Sequence, residues 1–162
     1  MASVKIADHE ESLNNFLTDR SDAPLRRTMA RAFKYVVTDV NRVDVRMYLL
    51  ENFLKLLSDD DLMTKTCAFE SLVAVSIEHP RFLSSELTTQ LLLTIKPTLK
   101  FDPKYTKITE LGLQIEVDES LRVRNAAHTF LQINLRRLSE KIEAQMLIDY
   151  IIIGLTDKYQ QI

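Results

Sequence analysis

Residues 43–79, "VDVRMYLLENFLKLLSDDDLMTKTCAFESLVAVSIEH", decide the fold because they hold two helical patterns on either side of an acidic turn. Apolar residues recur every three or four positions over 43–57, which predicts an amphipathic helix. The apolar stripe of this helix is wide, as in a helix that is covered on two sides. A second helix is predicted over 62–79, with Ser58 or Asp59 as its N-cap and a proline directly after its end.

Similar patterns continue in both directions along the chain. Residues 82–100 predict a helix that kinks or ends early at Pro97, because proline removes a helical hydrogen bond. Further helices are predicted over 21–40, 119–137 and 138–155, and a more weakly periodic one over 5–19. The chain is therefore predicted to be a series of short amphipathic helices with brief connections.

Three of the predicted helix starts share a pattern: an acidic residue, a leucine three positions later, and a small residue five or six positions beyond. The copies are Asp22–Leu25–Ala30, Asp59–Leu62–Ala68 and Asp118–Leu121–Ala127. The leucines lie 37 and 59 residues apart, whereas paired-helix HEAT repeats run about 40–47 residues. Omitting the 14 residues 104–117 shortens the second spacing from 59 to 45. These 14 residues are therefore interpreted as an insertion into a helical repeat.

The predicted fold class is all-α, an α-solenoid of HEAT-type helix pairs with one inserted β-hairpin. Residues 1–162 are predicted to form a single segment, with repeat helices near 24–39, 60–79 and 119–137. A glycine count of two also favours helices, because turn-rich β folds use many more.

The insertion, 104–117, reads "KYTKITELGLQIEV" and alternates apolar with other residues from Leu111 onward, which is the period of a strand. Residues 105–109 and 111–117 are predicted to pair as a hairpin with Gly112 near its turn. Two interpretations follow. The insertion is either an ordered connector that lies flat on the helices, or a protruding finger that contacts a partner, since insertions in repeat arrays often map to the binding face.

Composition narrows the class of protein. The net charge of −2 argues against nucleic acid and anionic membranes as partners. The single cysteine, Cys67, excludes an internal disulfide and fits a reducing compartment, so we expect a cytoplasmic or nuclear protein. The densest apolar run, 150–155, is too short to cross a bilayer.

The sequence shows no set of residues that predicts catalysis. His9, His79 and His128 are scattered, and the two glycines cannot form a phosphate-binding loop. The acidic run at 59–61 is better explained by helix capping than by a metal, and Cys67 by core packing. We therefore expect no enzyme activity, no cofactor, no metal and no small-molecule substrate.

Two clusters of basic residues leave several interpretations open. They are Arg26, Arg27, Arg31 and Lys34, and Arg122, Arg124, Arg136 and Arg137. The clusters form a solvated face, a ladder of acid–arginine pairs between repeats, or a docking surface for an acidic partner on one wall of the array.

Four stretches, in one collinear order, carry a resemblance to a known family. They are "LRRTMARAFKYVVTD" (25–39), "LKLLSDDDLMTKTCAFESL" (54–72), "LLLTIKPTLK" (91–100) and "LGLQIEVDESLRVRNAAHTFL" (111–131), the last followed by "GLTDKY" (154–159). Together they resemble the C-terminal HEAT repeats of the cullin-associated, neddylation-dissociated proteins, also described as TATA-binding-protein-interacting proteins. The chain departs from the family at Gly112-Leu-Gln-Ile, which replaces a Gly-Pro-Phe-Lys-His run, and at Ser120, which replaces a glycine.

The resemblance implies a crescent-shaped solenoid that wraps an unmodified cullin–RING scaffold, with this chain as the C-terminal part of a longer protein. In that family the C-terminal repeats and the hairpin occupy the adaptor-binding end of the cullin, and competition there permits exchange of substrate receptors. The expected function is therefore non-catalytic regulation of cullin–RING ubiquitin ligase assembly. The partner-binding residues expected on the hairpin are Tyr105, Lys107, Ile108, Leu111, Leu113 and Ile115.

Two alternative functions remain open from the sequence. A generic HEAT-repeat scaffold, of the transport-receptor or phosphatase-scaffold type, predicts that deleting the hairpin leaves partner binding intact. A solenoid that binds nucleic acid predicts binding that weakens steeply with salt, and the net acidity argues against it.

Overall fold

The computed structural model describes residues 22–39, 43–82, 85–140 and 142–155. The described chain is mostly helical, with one two-stranded sheet, in agreement with the predicted all-α class. The α-helices are α1 (Ala23–Asp39), α2 (Val43–Leu57), α3 (Leu62–Glu78), α4 (Ser85–Ile95), α5 (Asp118–Ser139) and α6 (Ala144–Leu155). Two short 3₁₀ helices cover Lys96–Leu99 and Pro103–Tyr105, and the strands are β1 (Thr106–Ile108) and β2 (Gln114–Glu116). The helix predicted over 5–19 lies outside the described residues.

The helices pack in two layers that alternate along the chain. In the first layer, α3 packs against both α1 and α5. In the second, α2 lies against α1 and α3 and also contacts α4. The 3₁₀ extension of α4 packs against α5 and α6. The hairpin leaves the second layer after this extension and returns to the first layer at the start of α5.

Small residues bring the helices of the first layer together. Ala30 in α1, Ala68 in α3 and Ala127 in α5 are each fully buried, and they are the small residues of the repeated sequence pattern. The hydroxyl of Ser71 in α3 donates a hydrogen bond of 2.7 Å to the carbonyl oxygen of Ala30. The repeated small residue therefore serves close packing of neighbouring helices.

Large apolar side chains fill the space between the layers. Phe69, Leu72 and Phe130 from the first layer are fully buried, as are Leu57 and Ile95 from the second. Such side chains contribute about 1.5–3 kcal/mol each when buried, so this shared core dominates the stability of the chain.

Of two helix ends predicted from the sequence, the structure corrects one and confirms the other. The N-cap of α3 is Asp61, not Ser58 or Asp59: its carboxylate accepts the Thr64 N–H at 2.8 Å. The carboxylate of Asp59 accepts the N–H of Asp61 instead, also at 2.8 Å, which shapes the turn before the cap. The early end of the helix that contains Pro97 is confirmed, because α4 stops at Ile95 and continues only as a 3₁₀ turn.

The helix predicted over 138–155 begins later than expected. Helix α5 runs through Ser139, and α6 begins only at Ala144. Leu138 is fully buried one turn after Asn134 and two turns after Phe130, so it completes the apolar stripe of α5. By its period Ile77 belongs to the inward apolar stripe predicted for the helix over 62–79, but this expectation is wrong, because its side chain is exposed at the end of α3. None of the described helices combines the length and the apolar character that crossing a bilayer requires.

Candidate partner-binding hairpin

The insertion forms the predicted hairpin, between the 3₁₀ turn at Pro103–Tyr105 and α5. Strands β1 and β2 pair antiparallel, with Thr106 opposite Glu116 and Ile108 opposite Gln114. The side-chain amide of Gln114 donates a cross-strand hydrogen bond of 2.7 Å to the hydroxyl of Thr106.

A three-residue loop, Glu110-Leu111-Gly112, closes the hairpin. The Gly112 N–H donates to the carbonyl oxygen of Thr109 at 2.9 Å, and the Thr109 N–H donates to that of Leu113 at 2.8 Å. Gly112 has a φ of +75°, in the left-handed region that glycine adopts without steric cost. A loop of this length with a left-handed third residue is a common hairpin connection.

The apolar side chains at the end of the hairpin face solvent. Ile108 is 78% exposed, Leu111 86% and Leu113 60%, and we call these three residues the hairpin tip. Lys107 and Ile115 are also exposed, whereas Tyr105 is half-buried where the hairpin leaves the helices. A connector lying flat would bury these apolar side chains, so the exposures contradict that interpretation and favour a projecting finger.

The other end of the hairpin is fixed to α5 by a buried ion pair. Arg124 donates from Nη2 to Glu116 Oε2 at 2.6 Å, and the Ser120 hydroxyl donates to Glu116 Oε1 at 2.7 Å. The side chains of Arg124 and Glu116 are only 2% and 6% exposed. We call Glu116, Ser120 and Arg124 the base triad. Because two of its members lie one turn apart on α5, the triad sets the direction in which β2 leaves the helix.

The sequence analysis singled out Arg124 and Ser120 but did not predict that Glu116 is their partner. The glutamate looks like a solvated residue on an alternating strand, and only its spacing gives a signal. The spacing is four residues from Glu116 to Ser120 and four more to Arg124. In a helix that begins at Asp118, Ser120 and Arg124 lie on the same face, directly after the strand that carries Glu116.

A second polar contact lies where the hairpin begins. The carboxylate of Asp102 accepts the Lys104 N–H at 3.1 Å and pairs with Lys104 Nζ at 3.1 Å. Partial burial opposes ionisation of Asp102, but these contacts outweigh it and leave the pKa of Asp102 below its ordinary value. Burial, followed by repulsion from Lys104, lowers the pKa of Lys65 on α3, so α3 brings a further cation near the hairpin base.

Several of the clustered arginines pair with acids of α3 or of the turn before it. Arg26 of α1 forms a buried pair with Asp59, with 2.8 Å between Nε and Oδ2. Arg27 donates to Asp61, also at 2.8 Å, and this hydrogen bond is the largest cause that holds the pKa of Asp61 well below its usual range. The exposed Arg122 of α5 pairs with Glu70 of α3. For these three arginines, the interpretation as a ladder of acid–arginine pairs between repeats is confirmed, whereas Arg124 pairs with the hairpin.

The remaining chemically notable residues have structural contacts. His128 of α5 is half-buried, with Nε2 at 3.1 Å from the carbonyl oxygen of Leu99, and it links α5 to the 3₁₀ extension of α4. Cys67 is buried in the core, as expected. Within the segments that the structure describes, no three His, Cys, Asp or Glu side chains are grouped so that they could hold a metal ion.

Comparisons with known proteins give one informative similarity. No family model matches the chain, and no solved structure matches it. The chain is similar to the Cullin-associated NEDD8-dissociated protein 1 of Dictyostelium discoideum, with 27% identity over 143 residues. The match covers 85% of this chain but 11% of that protein, so the chain spans about a tenth of the length of this curated relative. The similarity supports a chain of HEAT-repeat-like type.

Proposed function

We propose that this chain is a segment of a non-catalytic regulator of cullin–RING ubiquitin ligase assembly, built as a HEAT-type solenoid. In this proposal it belongs to a divergent member of the cullin-associated, neddylation-dissociated family. It binds a cullin that carries no NEDD8, through the N-terminal region of the cullin, and it competes there with the substrate adaptor so that receptors exchange. The observation that carries the proposal is an apolar hairpin tip held out in solvent by a buried base triad.

The exposed tip supports a binding role. Large apolar side chains that are exposed together on a folded chain mark interaction sites more often than ordinary surface. Ile108, Leu111 and Leu113 lie within one short hairpin, so a partner with an apolar groove buries all three at once. Covering them contributes about 25 cal/mol for each Å² of apolar surface removed from water.

The base triad supports a tip whose position is set before binding. An isolated two-stranded hairpin is marginally stable in water. Here the pair between Glu116 and Arg124 joins the hairpin to a long helix, and the N–H of Val117 donates to the carbonyl oxygen of Tyr105 at 2.9 Å. A tip that is ordered in advance loses less conformational entropy on binding, which favours affinity.

The class of partner comes from the similarity to a protein whose name states association with cullin and dissociation of NEDD8. The ladder of acid–arginine pairs agrees with this choice over a nucleic acid, because Arg26, Arg27 and Arg122 already face carboxylates of the chain. Nucleic-acid binding needs such side chains to neutralise phosphates.

The experiment measures binding of the protein to unmodified cullin and to NEDD8-modified cullin by pull-down and calorimetry. Leu111→Ser with Leu113→Ser removes apolar surface from the tip and is expected to weaken binding to unmodified cullin at least about tenfold, as for a central apolar contact. Ile77→Ser is the matched control, because Ile77 is similarly exposed but lies 12 residues along α3 from Lys65, or about 18 Å.

A competition arm adds the substrate adaptor to the preformed complex. The original protein and the Ile77→Ser variant are expected to be displaced by adaptor, and the tip variant to be displaced at lower adaptor concentration. If the protein binds neither unmodified nor NEDD8-modified cullin, the proposal is contradicted. Cullin binding that survives the tip variant unchanged favours the generic HEAT-repeat scaffold instead.

A further inference from the structure

The helices of the first layer share an outer side, which faces away from the second layer. On α5 this side carries residues three or four positions apart, as on one helical face: Arg122, Asn125, Thr129, Ile133 and Arg136. Residues two positions apart on a helix point in nearly opposite directions, and Ala127 and Leu138, each two positions from this set, are fully buried. The ion pair between Arg122 and Glu70 joins the outer face of α5 to that of α3.

Helix α1 presents Arg31 and Tyr35 on the same outer side. The two residues lie one turn apart, and both are exposed. Phe33 lies two positions from each of them, on the opposite face, where its ring stacks on Phe53 of the second layer with 3.6 Å between the centroids. Because α3 packs against both α1 and α5, the outer sides of the three helices form one continuous wall.

The three helices run in the same direction along this wall. Arg27, near the start of α1, pairs with Asp61 at the N-cap of α3. Lys65 in the first turn of α3 is repelled by Lys104 at the base of the hairpin, and the hairpin leads into the start of α5. Residues late in α1, α3 and α5 therefore lie together at the other end of the wall.

Large apolar side chains stand exposed at that end, one on each helix. Tyr35 is 63% exposed, Ile77 on α3 62% and Ile133 on α5 37%. Packed helices lie about 8–10 Å apart, so two steps from α1 to α5 give a line of about 16–20 Å. Apolar side chains that are exposed together mark an interaction surface more often than ordinary surface.

An arginine without an acidic partner flanks this line at each end. Arg31 on α1 and Arg136 on α5 are exposed, and neither pairs with an acid among the described residues. The other arginines of the two basic clusters differ in this respect, because Arg122, for example, already faces a carboxylate. Glu78 is exposed next to Ile77 and offsets one of the two charges, which leaves the line and its ends positive.

We infer that the outer row, which we define as Arg31, Tyr35, Ile77, Ile133 and Arg136, binds an extended protein segment with acidic residues at both ends and apolar residues between them. The length of the row matches about six residues of extended chain. Arginine and tyrosine are also the residue types that contribute strongly to binding at protein interfaces. The outer row is separate from the hairpin tip, so the inference does not depend on the proposed cullin-related function.

The test adds a synthetic peptide to the full chain, whose isoleucine methyl groups carry an isotope label for NMR. The peptide has about seven residues, with glutamate at both ends and two leucines between them at alternate positions, so that all four face the wall. Its remaining residues are serine. The Ile77 and Ile133 methyl resonances are expected to shift as the peptide binds, while that of Ile108 at the hairpin tip stays in place.

Variants of exposed residues separate the contributions without disturbing the core, and circular dichroism checks that each is folded. Arg31→Gln with Arg136→Gln removes both flanking charges and is expected to weaken peptide binding at least about tenfold. Glu78→Gln removes the opposing charge and is expected to strengthen binding about twofold. The tip variant, Leu111→Ser with Leu113→Ser, is the matched control and should bind the peptide as the original chain does.

A second peptide with serine in place of both leucines is expected to bind at least about fivefold more weakly, because it covers no apolar surface. Equal binding of this peptide, or of a single-stranded oligonucleotide of the same charge, would reveal a general anion site and overturn the inference. Ile77 and Ile133 resonances that do not respond to the first peptide would also overturn it. Failure of the cullin-related proposal has a different signature, since the chain would then ignore cullin and still bind the peptide.

Discussion

The two ends of the hairpin reverse the usual distribution of side chains. At its base, a full charge on Arg124 and another on Glu116 lie almost completely buried, at 2% and 6% exposure. At its tip, about a dozen ångströms away by the rise of a strand, Ile108, Leu111 and Leu113 stand in water. Charges are normally outside and large apolar groups inside, so both ends deviate in a way that costs free energy.

The two deviations differ in what offsets their cost within the chain. The buried charges have each other and the Ser120 hydroxyl, so the base is satisfied by the described residues themselves. The exposed apolar groups have no such compensation unless another molecule covers them. The base is therefore expected to govern the stability of the chain, and the tip its binding.

The largest expected effect tests the base. Arg124→Met removes the cation and leaves the carboxylate of Glu116 buried without it, which is expected to cost about 3–5 kcal/mol of unfolding free energy. Chemical denaturation followed by circular dichroism measures this loss. The double variant that adds Glu116→Leu is expected to recover most of the stability, because both charges are then gone.

Arg122 provides the matched control two residues earlier on the same helix. Its pair with Glu70 is exposed on both sides, and such pairs contribute little to stability. Arg122→Met should therefore leave the midpoint nearly unchanged. If Arg122→Met and Arg124→Met lowered the unfolding free energy equally, the buried pair at the hairpin base would be no more important for stability than an exposed pair between helices.

The next effect concerns Asp61, which caps α3 and pairs with Arg27 on α1. Asp61→Asn keeps an oxygen that can accept the Thr64 N–H but removes the charge, and it is expected to cost about 1–2 kcal/mol at neutral pH. The pair joins α1 to the turn before α3 and involves no residue of the hairpin, so cullin binding is expected to stay unchanged. A loss of binding with intact folding would contradict the division of roles.

The stability contributed by the charge of Asp61 is expected to depend on pH. The folded state holds the pKa of Asp61 below its ordinary value near 3.9, chiefly through the hydrogen bond from Arg27. The stabilising contribution is therefore complete above about pH 5 and is lost as the pH falls below about 4, toward the folded-state pKa. The difference in unfolding free energy between the original chain and Asp61→Asn should shrink over that acidic range. A constant difference would show that the charge is not its cause.

The sequence predicted the helices where tertiary packing and local period agree. The bounds of α2 are those expected from its apolar stripe, and the hairpin lies within the predicted insertion. The start of α6 was wrong because Leu138 fits either helix by period, and only its burial in the core assigns it to α5. The predicted solenoid type and the single segment over 1–162 stay predictions.

The candidate site was predictable in part for a physical reason. Alternation identified the strand, and the exposed positions of Ile108, Leu111 and Leu113 follow from a hairpin whose end none of the described helices covers. The base triad was not predicted, because an ion pair depends on the angle at which β2 enters α5, and no residue pattern records that angle. Asp61 was likewise missed, since three consecutive aspartates offer the same cap chemistry.

The smallest expected effect concerns Gly112, in the loop between the two strands. A Cβ added at Gly112 meets no atom within 4 Å, so the cost of Gly112→Ala comes only from its φ of +75°. That conformation is expected to cost an alanine about 1 kcal/mol. Because the loop can open without unfolding the helices, the loss should appear locally, as weaker protection of the Thr109 amide in hydrogen exchange.

Gly112→Asn is the control for this prediction, because asparagine tolerates the left-handed region better than alanine and should retain more protection. Protection of the α3 amides should be the same in all three proteins. Binding to cullin should weaken with the loss of protection at Thr109, since a loosened tip must be ordered again on binding. If Gly112→Ala loosens the loop without any effect on binding, the tip does not need to be held in advance, and the base triad then serves the stability of the chain alone.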